Sequence, residues 1–574
     1  MLPRFEAAQP RGLAVTRPMA VTIAEAEARR LGIPVEKAFR VETWEANPLL
    51  EQELSDDPAV RRRVETDPVV GPRLAGYRVT WFRPGLEKFP EFGYVVVGAD
   101  GTILGARVRA RAEETGARPA ESVVREAADR FVASRAFAGA PKPVFDSARP
   151  NVLKDRVDHI LRYRVPNDGP PSSVSFFLNV YFVGDRLSGW ELFEEYRDGR
   201  AFRYELGGSL VTTFGRFAVV FGLLFLLLAI FLKKYHAGEV GVGTGAWLFA
   251  GQLVLLLATD VLTARADGFG VGFGGTDAFQ TTLAQVAFRF LFFDVPLATL
   301  VFLSWSVGES YARERWGDRL ASFDALLRRD PFNSTVGGSL LTGLVLSPAV
   351  AAAALVPFLP ALALGKGSPV LGDLAGLVLT SEAGPATAVL GSLALAIPIA
   401  VVGGLLALSA FHRRRALGLG LVVSAAVGSV LAVGLVPVGP ETTRLFLAFG
   451  APLAAAGVFL AKDLLASAVS LFGATLLLGL LPLLRAFEGP ALHGTAAALV
   501  IPLFVLLALA VAGLATRRSV EYRYEDLAPH VKRIAERERV KAEIDAANRI
   551  QAALLPPRDP QLPGVVVASH YRAA

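Results

Sequence analysis

Few residues in this chain have the type and spacing to do chemistry, and their placement excludes most reactions. None of the 574 residues is a cysteine, which rules out disulfides, thiolate zinc sites and a cysteine nucleophile. The strongest candidates are carboxylates inside apolar stretches, where an ionisable group is costly and first read as functional. Asp294 sits in the middle of FLFFDVPLATL, two residues before Pro296, and is the possible intramembrane polar site. Asp260 falls near the end of its apolar stretch, and Lys462 and Asp463 fit a turn. A transport or proton-relay site would show several such groups at matched depth. Only Asp294 is deeply placed, so the reading favoured is hydrogen bonding to backbone groups freed by the proline. Gly270, Gly272 and Gly275 satisfy G-x-G-x-x-G, yet no strand precedes them, so a loop is expected in place of a dinucleotide site. His159 stands at a strand edge among ordinary charges and reads as structural.

The segment GESYARERW, which begins at Gly308, resembles part of the CPBP-type intramembrane proteases. That family combines E-E-x-x-x-R with paired histidines on nearby helices, to hold an ion and activate water. Here Glu309 is followed by Ser310, and His412 and His493 stand at the ends of apolar stretches. The metal site cannot be assembled, so the resemblance implies at most a degenerate protease.

The elements that must position these groups are unevenly distributed. The chain is 52% hydrophobic, and the apolar residues concentrate between 212 and 516. The expected organisation is a multi-domain membrane protein: a soluble α+β region over 1–210, a polytopic helical membrane domain over 211–517, a cytosolic linker helix over 518–556 and the start of a further domain over 557–574. Nine spans are expected, near 212–232, 244–264, 283–304, 338–362, 386–410, 416–437, 444–461, 464–484 and 494–516. Basic residues follow alternate spans: Lys233 and Lys234, the ARERWGDR segment with Arg328 and Arg329, His412 to Arg415, and Arg517 and Arg518. By the positive-inside rule these ends are cytoplasmic, which places the C-terminus inside a bacterial-type inner membrane and the N-terminal region outside. No apolar signal segment follows Met1, so an export signal is expected upstream. The net charge of +6 is small for the length, and nucleic acid is not an expected partner.

Within 1–210 one pattern recurs. TIAEAEARRLGI (22–33) opens with the capping-box pair Thr22 and Glu25 and predicts a helix. YRVTWF (77–82) predicts a strand, and 94–110 a hairpin turning on Asp100–Gly101. A helix over 118–134, a strand over 159–165 and a hairpin over 173–196 turning on Gly184–Asp185 repeat the order. The units resemble PepSY-like modules, in which a helix packs on a sheet whose hairpin reads roughly V-x-V-x-x-D-G-x-V. A sensing or interaction role is expected of them.

After the last span, Pro529 suits a helix start, and the chain reads as helical to Leu555. Val540, Ile544, Ala547, Gln551 and Leu554 step by four and three, which is the seam of a coiled coil and calls for a partner helix, most simply from a homodimer. The residues that follow, AANRIQAALLPPRDPQLPGVVVASHYRAA, closely resemble the opening of SpoIIE/RsbU-type serine/threonine phosphatase domains of the metal-dependent PPM class. The match lies in Ala547, Ile550, Gln551, Leu554, Leu555 and Pro556, then Leu562, Pro563 and Gly564, then Tyr571 and Ala573, with Arg572–Ala573 where the family usually has Arg-Pro. The resemblance implies a membrane-bound, signal-responsive protein phosphatase whose α/β domain binds Mn or Mg through aspartates placed beyond the first strand. It implies a phosphoprotein substrate and a regulatory role for the linker. None of those ligands lies within 1–574, so this chain is expected to bind no metal and to hydrolyse no phosphoprotein by itself. A membrane transporter or channel with an accessory tail is the alternative.

Overall fold

The computed structural model describes residues 13–46, 71–83, 91–111, 113–134, 142–166, 174–196, 201–264, 278–364, 368–369, 373–411, 416–436, 438–439, 441–487, 489–519 and 529–554. The expected glycine loop at 270–275, His412 to Arg415, Leu555, Pro556 and the segment 557–574 lie outside the described residues.

The N-terminal part holds two like units. The first is α1 (Arg17–Arg30) with β1 (Phe39–Ala46), β2 (Ala75–Phe82), β3 (Glu91–Gly98) and β4 (Ile103–Val108). The second is α2 (Glu121–Ser134) with β5 (Val144–Val152), β6 (Val157–Val165), β7 (Val174–Val183) and β8 (Arg186–Tyr196). Together they form one eight-stranded antiparallel sheet of order β1-β2-β3-β4-β8-β7-β6-β5, which reads the same from either unit. Each repeat therefore carries four strands, one more than the pattern predicts.

The helix start also differs from expectation. The first turn of α1 carries Pro18, Thr16 occupies the N-cap without a side-chain bond, and Thr22 lies inside the helix, donating from its hydroxyl to the Pro18 carbonyl at 3.0 Å. The proline, with φ already set and no N–H to satisfy, starts the helix before the capping-box pair. Both helices lie on one face of the sheet. Ala106 packs with α1, Trp190 packs with the second unit's core, and the two stand opposite each other across the β4–β8 junction.

The helical part follows: α3 (Ala201–His236), α4 (Gly243–Thr263), α5 (Ala278–Arg289), α6 (Val295–Arg315), α7 (Ser334–Leu355), α8 (Asp373–Thr380), α9 (Gly384–Pro398), α10 (Leu417–Leu431), α11 (Gly450–Ala461), α12 (Leu464–Ala486) and α13 (Gly489–Ala515). Among the described residues, eight helical segments are long and apolar enough to cross a membrane. Helix α12 is enclosed on nearly every side, whereas Phe225, Trp247, Val254, Phe504 and Val511 point outward, the arrangement expected where the surrounding solvent is itself apolar. Close approach of backbones holds the centre together: a Cβ on Gly343 of α7 would meet the Ala466 carbonyl of α12 at 2.8 Å.

The expected sixth span, 416–437, is shorter than predicted. Helix α10 has 15 residues, continues as a 3-10 turn over Val433–Leu435, and gives way to extended backbone at Val436, next to Pro437. The two-residue strand Val438–Gly439 then pairs with Ser368–Pro369.

The bundle has two distinct ends. At one, Ser334 N donates to the Arg518 carbonyl at 2.8 Å, Arg518 pairs with Asp330 at 2.6 Å, and Arg319 reaches the Lys462 carbonyl. At the other, Glu382 N donates to the Leu262 carbonyl at 3.2 Å, and Leu13 N donates to the Ala486 carbonyl at 2.7 Å. The first N-terminal unit docks on this second end, with Leu13 in the bundle core, Trp44 packed against it and Arg17 3.6 Å from Glu382. Helix α14 (Pro529–Leu554) lies beyond Arg518, at the first end.

Candidate functional site

Asp294 is buried, and the backbone explains how it comes to face inward. Pro296 has no N–H for the Phe292 carbonyl, and the turn before it, Phe290–Asp294, widens into a π-helix between α5 and α6. Such a bulge rotates one residue out of helical sequence. Here the π-helix lies against α4, the helix that carries Asp260. Arg289, one turn earlier, closes the group with an Nη2 to Asp260 Oδ1 distance of 2.9 Å. Both aspartates are about 95% buried, and Asp294 Oδ2 has no hydrogen-bond partner among the described residues. Three charged groups therefore meet where the sequence places Asp294 alone. Arg289 was the missing member; its position on the same apolar run as Asp294 was the available signal.

Glu309 and Asp463 hold structural positions. Glu309 accepts from the Trp305 indole at 3.0 Å and pairs with Arg313, whose guanidinium also holds Asp324 at 2.6 Å. His493 is exposed near the start of α13, at the opposite end of the bundle from Glu309. The two do not approach a common metal, and no group of three metal-ligating side chains occurs among the described residues. Asp463 caps α12, accepting from Ala466 N at 2.8 Å and from Ser322 Oγ at 2.9 Å, with Ser339 as a third donor.

The linker is a continuous helix of 26 residues, α14. Val540, Ile544, Ala547, Ile550 and Gln551 all lie within it and are exposed, as is every residue from Glu536 to Gln551; Leu554 ends the helix. From Val540 to Gln551 the apolar seam is uncovered among the described residues. Among the described residues Arg537 ties the helix to the bundle, pairing with Glu239, which also pairs with Lys234 at 3.2 Å. Lys234 Nζ in turn donates to Ser310 Oγ at 3.0 Å and lies over the Tyr311 ring. A polar path thus runs from the linker to α6, whose other end begins at Asp294.

On the helix-free face of the sheet, Tyr94 of β3 donates to Glu191 of β8 at 2.5 Å, and Arg78 of β2 reaches the same carboxylate at 3.0 Å. Burial, reinforced by the Glu191 charge, pushes the Tyr94 phenol well above its ordinary range. This bond joins the two repeats. His159 is buried in β6 opposite Pro150 and Phe182, away from any cluster of ligating groups.

No family model matches the chain. No match was found among curated proteins or among solved structures.

Proposed function

We propose that the chain is the sensing and membrane part of a signal-responsive protein serine/threonine phosphatase of the SpoIIE type, acting as a homodimer through α14. The observation that carries this reading is the linker: a long helix leaves the bundle with Val540, Ile544 and Ile550 exposed, tethered by Arg537 to Glu239. An apolar stripe on a solvated helix is stable when a second helix covers it, and a stripe interrupted by Gln551 is suited to changing its packing. The phosphatase assignment rests on the resemblance of residues 547–573, which brings Mn or Mg as the expected metal of the catalytic domain. The described residues supply no donor set for that metal, so no catalytic step is assigned to them.

The chain's lack of cysteine makes the test clean. Single cysteines at Ile544 and Val540 should form disulfide dimers in membranes, while cysteines at Glu543 and Arg539 should not. Fused in register to a phosphatase domain of that family, Ile544→Asp should abolish the crosslinks and change phosphoserine hydrolysis several-fold. Unchanged crosslinking with unchanged hydrolysis would reduce α14 to a solvated spacer.

A transporter is the second reading, favoured by the Asp260–Arg289–Asp294 group in the bundle. Its mark would be solute flux through proteoliposomes. The degenerate protease reading gains nothing from the opposite placement of Glu309 and His493.

A further inference from the structure

We propose that Arg329 and Arg517 hold the headgroup of an anionic phospholipid at the end of the bundle from which α14 departs. Both stand at the boundary of the apolar spans: Arg329 just before the segment Ser334–Ala363, and Arg517 just after the segment Leu492–Ala515. The fold brings them to one corner. Ser334 N donates to the Arg518 carbonyl at 2.8 Å, Arg518 pairs with Asp330 at 2.6 Å, and a Cβ on Gly513 would meet the Asn333 carbonyl at 2.7 Å. The two backbones carry the same strain. With φ of 60° and 51°, Arg329 and Arg517 are the non-glycine residues in left-handed conformation among the described residues. An L-residue held there crowds its Cβ against the following carbonyl, which is why glycine is favoured.

Each arginine stands just past the end of a helix, at the position glycine usually takes. The short helix Ala321–Leu327 closes with Arg329 N donating to the Leu326 carbonyl at 3.0 Å and Asp330 N to the Ala325 carbonyl at 2.9 Å. Helix α13 closes with Arg517 N donating to the Leu514 carbonyl at 3.2 Å. Attraction of a cation to the helix dipole does not account for arginine at these two positions. Arg328 and Arg518 supply that charge from the neighbouring residue without a left-handed backbone. Pairing within the chain does not account for it either. Both side chains are exposed and neither is ion-paired among the described residues, whereas Arg518 beside them is taken by Asp330. A partner from outside the chain remains, and the surroundings give its chemistry. Leu327, Phe332 and Leu514, neighbours of the two arginines in sequence, are exposed as well. Guanidiniums beside exposed apolar side chains at a membrane boundary match a phosphate headgroup and its acyl chains.

The test takes the purified 574-residue chain in a neutral detergent, with phosphatidylglycerol or phosphatidylcholine added. Native mass spectrometry counts the lipids retained, and thermal unfolding reads their effect. The wild type should retain phosphatidylglycerol over phosphatidylcholine and unfold at a higher temperature with it. The double variant Arg329→Gly, Arg517→Gly should unfold several degrees above the wild type without lipid, because glycine relieves the left-handed backbone. The same variant should retain several-fold less phosphatidylglycerol and gain little stability from it. Arg329→Lys with Arg517→Lys, which keeps the charge but not the planar fork, should fall between the two in retention. Equal retention by the wild type and the glycine variant would overturn the proposal. So would a glycine variant that unfolds at a lower temperature without lipid, which would make the arginines ordinary packing residues. Inorganic phosphate that stabilises the wild type as much as phosphatidylglycerol would also overturn it, by making the ligand a free anion. The readout needs neither a partner helix nor a phosphatase, so its failure is separable from failure of the linker reading.

Discussion

Asp463 shows how a charged pair inside an apolar run can be purely structural. The sequence allows a turn there. The structure adds that the carboxylate caps α12 and binds Ser322 and Ser339 from two other segments. Asp463→Ala should cost roughly 2–4 kcal/mol, from the lost cap and the stranded hydroxyls, and Asp463→Asn clearly less. Thermal unfolding in detergent checks both, and equal losses would mean the carboxylate acts by charge alone. A second expectation concerns alkaline pH. Burial and Glu191 hold the Tyr94 phenol neutral above its ordinary 10.0, so its contribution to stability is present below that pH and lost as pH rises past it. The decline should be shallower in Tyr94→Phe; an identical pH slope would show that Tyr94 does not titrate with unfolding. Asp294 was legible as a candidate because an ionisable side chain in an apolar run stands out, although the sequence favours a bond to backbone groups freed by Pro296. Arg289, which pairs with Asp260, stood on the same apolar run but was passed over, because the π-helix beside it leaves no periodic mark in the sequence.

The elements were legible where period and turn chemistry agreed. Hairpins turning on Asp100–Gly101 and Gly184–Asp185 appear where alternation and glycine predict them, and positive φ at Gly101 and Gly184 is the reason those turns need glycine. Strand β5 escaped notice because it is a largely exposed edge strand containing Pro150, with little apolar alternation to read. Strand β1 was hidden by its charges: Glu42 is fully buried, held by Arg40 of the same strand and by Arg17 of α1 at 2.8 Å, a pairing that exists only in the fold. The capping box failed because Pro18 offers an earlier start. The union of the two repeats depends on Gly189, where a Cβ would meet the Ala106 carbonyl at 2.2 Å. Gly189→Val should therefore separate β4 from β8 at a cost of roughly 2–5 kcal/mol. Faster amide exchange confined to β4 and β8 would report it, and unchanged protection there would refute the role given to the glycine.

The described residues join a paired-repeat sheet at one end of a helical bundle to a helix at the other on which Val540, Ile544 and Ile550 are exposed. The apolar content and the basic residues between spans made the bundle legible; the length of α10 was not, because the apolar run continues unbroken through the turn that ends the helix. Beyond α10 and its 3-10 turn, Val438–Gly439 pairs with Ser368–Pro369. A relay between two sides requires that Val144 on the edge strand β5 and Ile544 on α14, both exposed, lie on opposite sides of a membrane. Single cysteines at these two positions, in sealed vesicles of known orientation, can be labelled with a membrane-impermeant maleimide. The account predicts that one position labels at once and the other only after the vesicles are opened, with the order reversed in inverted vesicles. Labelling of both positions from the same side would contradict it.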